Sequence, residues 1–200
     1  MTDPLGQSQV IHYLVGLPKN GVPVTLVSVD QKKNYDQNRA GVQDVLTTSG
    51  IDWKTISYTK YPPILSTLFD VYKLWKLAKA ICGNQKFDLI HCRSYIAMLV
   101  GLRLKRKLGI KLLFDMRGFW ADERLDGGIW DVSNVLYRQV FNFLKRKEKL
   151  FLECSDAIVV LTHKAEQIIS DWNIVTDKTP IRVIPCSVDV EHFKLKYFYS

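Results

Sequence analysis

No stretch of the 200-residue chain approaches the roughly 20 uninterrupted apolar residues that a membrane-spanning helix needs. The opening MTDPLGQSQ is polar and turn-forming, without the charged start and apolar centre of a secretory signal. The four cysteines, Cys82, Cys92, Cys154 and Cys186, show no metal-ligand or redox spacing, which suits reduced thiols in a cytoplasmic protein. His12, His91, His163 and His192 are just as scattered, so neither a metal centre nor a nucleophilic triad has support, and no cofactor is expected. Internal repeats, low-complexity segments and nucleic-acid-binding modules are also lacking. The aromatics fall in amphipathic or core patterns and not as a stacking platform, so nucleic acid is not an expected partner.

What is present is a globular composition, 47% hydrophobic and 24% charged, long enough for one domain or for half of something larger. The net charge of +8 is concentrated in the middle. Residues 51–100 carry seven Lys/Arg against three acids and residues 101–150 carry twelve against six, while the first fifty balance and the last fifty are net acidic. Anionic partners fit such a distribution. The basic runs at 103–107 and 145–149 have two readings: solvated helix faces, or docking on anionic lipid at the inner face of a membrane.

Strand and helix alternate along the chain. Apolar positions 10, 11, 14 and 17 share one helical face before Gly21, and 22–29 alternates as a strand. A helix over 39–49 closes at Gly50, a strand follows at 51–58, and Pro62 and Pro63 precede a long amphipathic helix at 64–82. On that helix Ile64, Leu68, Val71, Trp75 and Ala78 share a face opposite Asp70, Lys73 and Lys76. Strands at 87–92, 110–114, 157–161 and 181–185 are separated by helices at 97–108, 133–153 and 165–172, the last with Thr162 as N-cap. This pattern predicts a Rossmann-like, doubly wound parallel sheet. No strand precedes residue 3, so the sheet is expected to lack its first strand, which would expose the edges beside the gap.

The chemistry gathers in LLFDMRGFWADERLDGGIW, residues 112–130, where an apolar strand breaks into charge, glycine and tryptophan. Ligands of parallel sheets sit outside the carboxyl ends of strands. Asp115, Arg117, Gly118, Asp122, Glu123 and Arg124 lie there, and the arginine forks suit phosphate or carboxylate. The alternative is a solvated loop whose charges pair among themselves. His91 and Arg93 end the preceding strand and are expected at the same edge, His91 either at the site or merely hydrogen-bonded within a strand end. The turn at Gly6 and Gln7 is either structural or a presentation of backbone N–H groups to an anion.

In order, DPLGQSQ, FDLIHCRS, FDMRGFWADE, SDAIVVLT and VIPCSVDVEHF resemble the amino-terminal half of a family 4 glycosyltransferase of the GT-B fold. The resemblance runs from Asp3 to Phe193 and implies a Rossmann-like domain over 1–185, then a hinge segment, 186–200, toward a donor-binding domain that is absent. It implies that Gly6, Gln7, His91, Arg93, Asp115, Gly118, Asp122, Arg124 and Asp189 line the acceptor cleft. Arg117 occupies the strand-end position that many relatives fill with histidine, and it and Glu123 are the implied catalytic residues. An arginine there acts through charge and hydrogen bonds, since it cannot be deprotonated.

The implied function is the acceptor-binding half of a retaining, hexosyltransferase-type enzyme. It would move a sugar from a nucleotide-sugar to a glycan or lipid-linked acceptor and be silent without the donor domain. Two alternatives stand beside it: a non-catalytic assembly subunit that pairs with a separate donor-domain protein, and another Rossmann-like sugar-nucleotide enzyme.

Overall fold

The computed structural model describes residues 1–62 and 64–186. Pro63, Asp189 and the proposed hinge after residue 186 lie outside the described residues. Two compact units emerge, one containing Met1–Lys76 and the other Leu77–Pro185.

In the first unit, short helical turns succeed one another: α1 (Pro4–Gly6), a π-helical stretch Gln7–Ile11, α2 (His12–Leu14) and α3 (Gly16–Lys19). Strands β1 (Val24–Asp30) and β2 (Ile51–Ser57) pair in parallel, Val24 opposite Ile51 and Asp30 opposite Ser57, with α4 (Lys32–Thr48) as the crossover. Val10, Ile11, Leu14, Val42, Leu46, Ile51 and Trp53 form the core. Helix α4 begins seven residues before the expected 39–49. Its first turns are polar and only Val42 and Leu46 are buried, so an apolar pattern could mark no more than its second half.

Asp30 ends β1 inside this unit. Its carboxylate accepts from Thr2 N and Thr2 Oγ1 at 2.7 Å, from Thr55 Oγ1 at 2.7 Å and from Ser28 Oγ. Burial works to raise its pKa, but these donors and the neighbouring amino terminus outweigh that and hold it well below the usual carboxylate range.

Helix α5 (Leu65–Asn84) follows β2. Its first half buries Ser66, Asp70, Val71 and Leu74 and leaves Leu65, Leu68, Phe69 and Tyr72 exposed. The expected face is therefore right at Val71, which is inside, but wrong at two positions: Leu68 is outside and Asp70 is inside. The reason is local. Asp70 accepts from Thr59 N at 2.8 Å, Thr59 Oγ1 at 2.7 Å and Lys73 Nζ at 2.7 Å, so its inward position is satisfied.

The second unit holds a four-stranded parallel sheet, β3 (Leu89–Arg93), β4 (Lys111–Met116), β5 (Ala157–Val160) and β6 (Ile181–Val183), in that spatial order. The helices between them are α6 (Ser94–Leu108), α7 (Trp120–Asp126), α8 (Val135–Cys154) and α9 (His163–Asp171). Leu112, Phe114 and Met116 of β4 are fully or almost fully buried with Ile158 and Val160 of β5 and Phe151 and Leu152 of α8. Helix α6 stops at Gly109, whose φ of +71° is the left-handed closure that glycine supplies. Asn134 and Thr162 cap α8 and α9, accepting from Leu136 N at 2.9 Å and Ala165 N at 3.1 Å.

Candidate functional site

The site is built from the carboxyl ends of β3 and β4. Arg93 lies opposite Asp115 in the parallel register, and His91, two residues earlier, shares Arg93's side of the strand. Asp115 is buried, 3% exposed. Its Oδ2 lies 3.4 Å from His91 Nε2 and 3.4 Å from Arg93 Nη1, and its Oδ1 is 3.5 Å from Arg117 Nη1. Burial alone would raise the Asp115 pKa. The hydrogen bond and charge of His91, with the charges of Arg117 and Arg93, prevail and lower it.

These contacts are longer than the 2.7–2.9 Å of a tight charge-assisted hydrogen bond. Asp115 Oδ1, buried, has no hydrogen-bond partner among the described residues. The carboxylate is thus a counter-charge that gathers His91, Arg93 and Arg117 through longer contacts. The chain turns sharply beyond Arg93, because Ser94 opens α6 with φ +72°, a conformation that costs a non-glycine residue energy.

After Met116 the chain turns at Gly118 into α7. The segment expected as a loop therefore contains a helix, and Asp122, Glu123 and Arg124 lie on it. Gly118 has φ +155°, and a Cβ there would collide with the Glu123 carboxylate. Only glycine lets that carboxylate rest against the backbone at the corner.

A cavity of about 630 Å³ opens on this corner. Arg117, Gly118, Phe119, Asp122 and Glu123 line one side, and Thr162, Ala165, Ile168 and Trp172 the other, with Lys145 of α8 between. Phe119 and Trp172 meet edge to face at 5.7 Å, and the Lys145 ammonium lies 5.9 Å and 5.4 Å from their ring centres. Lys145 donates to Asp122 Oδ2 at 2.7 Å and to Glu148 Oε1 at 2.6 Å. Tyr95 donates to the other oxygen of Glu148, which is fully buried. Burial tends to lower the Lys145 pKa, but the two carboxylates raise it on balance, so the ammonium stays charged. Burial first, and then the Glu148 charge, push the Tyr95 phenol far up.

The structure thus gathers His91, Arg93, Asp115 and Arg117 at one strand edge, with Arg117 shared by the cavity that Gly118, Asp122 and Glu123 line. Arg124 stacks over Trp120 at 4.8 Å and is not part of the cavity lining. Gly6 and Gln7 belong to the first unit, where Gly6 N donates to Asp3 Oδ1 at 2.9 Å and Gln7 Nε2 to Thr2 O at 3.1 Å. Tyr95, Lys145, Glu148 and Trp172 were not among the site residues expected from the sequence. One signal was available: Leu144, Glu148, Phe151 and Leu152 share a helical face, and a glutamate inside an apolar stripe marks a paired, buried carboxylate. Among the described residues, no group of three or more His, Cys, Asp or Glu could hold a metal ion.

Parallel α/β units whose polar side chains collect at the carboxyl ends of the strands define a Rossmann-like protein. The chain belongs to glycosyltransferase family 4, whose sequence pattern matches residues 6–192. Among solved structures it is similar to sucrose-phosphate synthase from Thermosynechococcus elongatus, with 16% identity and a TM-score of 0.55 over 84% of this chain and 49% of that one. It is also similar to Glycyrrhiza uralensis UGT73P12 complexed with glycyrrhetinic acid 3-O-monoglucuronide, with 10% identity and a TM-score of 0.50 over 87% of this chain and 45% of that one. These likenesses are of fold, the Rossmann-like GT-B architecture, and the chain spans about half the length of either structure. No curated protein matches it in sequence.

Proposed function

We propose that this chain is the acceptor-binding part of a retaining glycosyltransferase that moves a hexose from a nucleotide-sugar to a hydroxyl of a glycan or lipid-linked acceptor. The observation that carries the proposal is the Asp115 cluster with Arg117 opening onto the 630 Å³ cavity. Such a cavity is of the size that holds small ligands. Its carboxylates, Asp122 and Glu123, suit the hydroxyl donors of a sugar, and its aromatic pair, Phe119 and Trp172, suits the apolar faces of a pyranose ring.

In this reading Arg117 orients the acceptor through fixed charge and a planar fork, since guanidinium does not give up its proton. Glu123 lines the cavity at the Gly118 corner and is the carboxylate nearest that turn. The roles of Gly6, Gln7 and Asp189 rest on the family resemblance. The nucleotide-sugar is held by a further domain, because transfer requires stabilisation of a departing nucleotide diphosphate, and the 200 residues alone are catalytically silent.

The test is a titration of the isolated chain, followed by NMR, with nucleotide-sugars and with a panel of glycans. Shifts at residues around Arg117, Asp122 and Trp172 with a glycan, and no turnover of any nucleotide-sugar, are expected. Tight binding of a free nucleotide, or turnover by the chain alone, overturns the proposal.

A further inference from the structure

The first half of α5 carries apolar side chains on both its faces. Its inward side holds Val71 and Leu74 together with Ser66 and Asp70, both 5% exposed. Its outward side carries Leu65, Leu68, Phe69 and Tyr72, at the spacing of one helical stripe, exposed by 63, 58, 54 and 51%, with Tyr61 at 67% just before it. Rolling the helix to hide these side chains would break the three hydrogen bonds that Asp70 accepts from Thr59 and Lys73 and strand a buried carboxylate. The stripe is therefore locked outward, and a contiguous apolar surface of this kind marks an interaction site.

Its rim is basic. Lys60 lies 5.3 Å from the Tyr61 ring centre, Lys73 is 4.9 Å from that of Phe69, and Lys76 is 6.0 Å from that of Tyr72. From Tyr58 to Lys76 the single acid, Asp70, is paired with Lys73, so Lys60 and Lys76 carry the net charge of the rim. Leucine and tyrosine bordered by lysines match the interface of an anionic bilayer, where aromatic rings sit at headgroup depth and lysine stems reach up to phosphates. A second copy of the chain would set the same positive rim against itself, so charge selects the bilayer. Among the described residues no helix is long and apolar enough to cross a membrane, which leaves a contact in the plane of the surface.

We propose that Tyr61, Leu65, Leu68, Phe69 and Tyr72, rimmed by Lys60 and Lys76, dock this protein in plane on an anionic lipid bilayer. The test is co-sedimentation with vesicles of phosphatidylcholine alone and with added phosphatidylglycerol. Binding to the anionic vesicles is expected, weakening as salt shortens the Debye length from about 10 Å at 0.1 M to about 3 Å at 1 M. Lys60→Gln and Lys76→Gln should each weaken it about fivefold, the equivalent of one lysine at a charged surface. Leu68→Ser with Phe69→Ser should abolish it, with circular dichroism checking the fold. If that pair fails to fold, the two exposed lysine variants still decide.

The control is Arg106→Gln with Lys107→Gln, a loss of two charges on α6 against one in either lysine variant of the rim, which should leave binding unchanged. The proposal is overturned by an absence of binding at low salt, by equal binding to uncharged vesicles, or by an equal loss in the control. Self-association that the stripe variants remove, without vesicle binding, also overturns it by making a second copy the occupant.

Discussion

The Tyr95 hydroxyl donates to the Glu148 carboxylate, and both side chains are sealed from solvent. The other Glu148 oxygen takes the Lys145 ammonium, which continues to Asp122 at the cavity wall. Core and cavity are therefore one hydrogen-bonded chain. Glu148→Leu should take the Tyr95 phenol's carboxylate away and leave Lys145 with Asp122 alone, and cost about 1–3 kcal/mol, the range for a buried polar group that loses its partner. Glu148→Gln keeps an acceptor for Tyr95 and should cost less. Urea midpoints of the two variants against the parent check the order. A Glu148→Leu variant as stable as the parent would show that the network contributes nothing.

Acid sensitivity follows from Asp156, at the turn into β5. Burial works to raise its pKa, but Lys105 Nζ at 2.5 Å, Leu112 N at 2.8 Å and Lys111 Nζ at 3.0 Å overcome that and lower it to about 2. A depressed carboxylate contributes its full stability above the unfolded value of about 3.9. It loses that contribution as pH falls toward the folded value. Unfolding free energy should therefore drop between about pH 4 and pH 2, on top of drops from Asp30, Asp70 and Asp115, whose pKa values are also lowered. Asp156→Asn should flatten part of this slope and lower stability at neutral pH. An unchanged slope removes Asp156 from the account.

Gly118 sets the corner between β4 and α7. Its φ of +155° makes alanine costly, and the exposed Glu123 carboxylate that stands where a side chain would be has to swing aside. Gly118→Ala should lose more than the roughly 0.4–1 kcal/mol that the same substitution gains at a compatible site. Glu123→Ala in the same chain should recover the steric part and leave the backbone part. A double-mutant cycle by chemical denaturation measures the coupling. Additive costs would mean that the two residues do not meet.

The strand–helix alternation and the strand-end gathering of His91, Arg93, Asp115 and Arg117 were legible because both follow from local patterns: apolar runs closed by polar or glycine punctuation. The inward face of α5 was not. It depends on Thr59 donating to Asp70, a tertiary contact that defeats the apolar periodicity through Ile64 and Leu68. Helix α7 was hidden between Gly118 and Gly127, where glycine and charge suggested an irregular loop although Trp120–Asp126 holds no glycine itself. Likewise Lys145 and Glu148 entered the site from a helix whose basic run was read as a solvated face or a lipid-docking one, not as a cavity wall. Only Glu148's place among Leu144, Phe151 and Leu152 gave a hint.

Asp115 and Arg117 allow the proposed acceptor role to be separated from simple stability. Asp115→Asn removes the buried counter-charge but keeps the volume. Arg93 and Arg117 then repel each other around a neutral amide, so stability should fall by about 1–3 kcal/mol and the arginine forks should lose their aim. Arg117→Lys keeps the charge and loses the planar fork, and its side chain is already a fifth exposed. It should leave the melting temperature nearly unchanged while weakening acceptor binding about tenfold, in proportion to one charge-assisted hydrogen bond. Calorimetric melting and glycan titration, run on both variants, distinguish the outcomes. If Arg117→Lys binds as the parent does while Asp115→Asn is destabilised, the cluster is a structural ion network and the acceptor is held elsewhere.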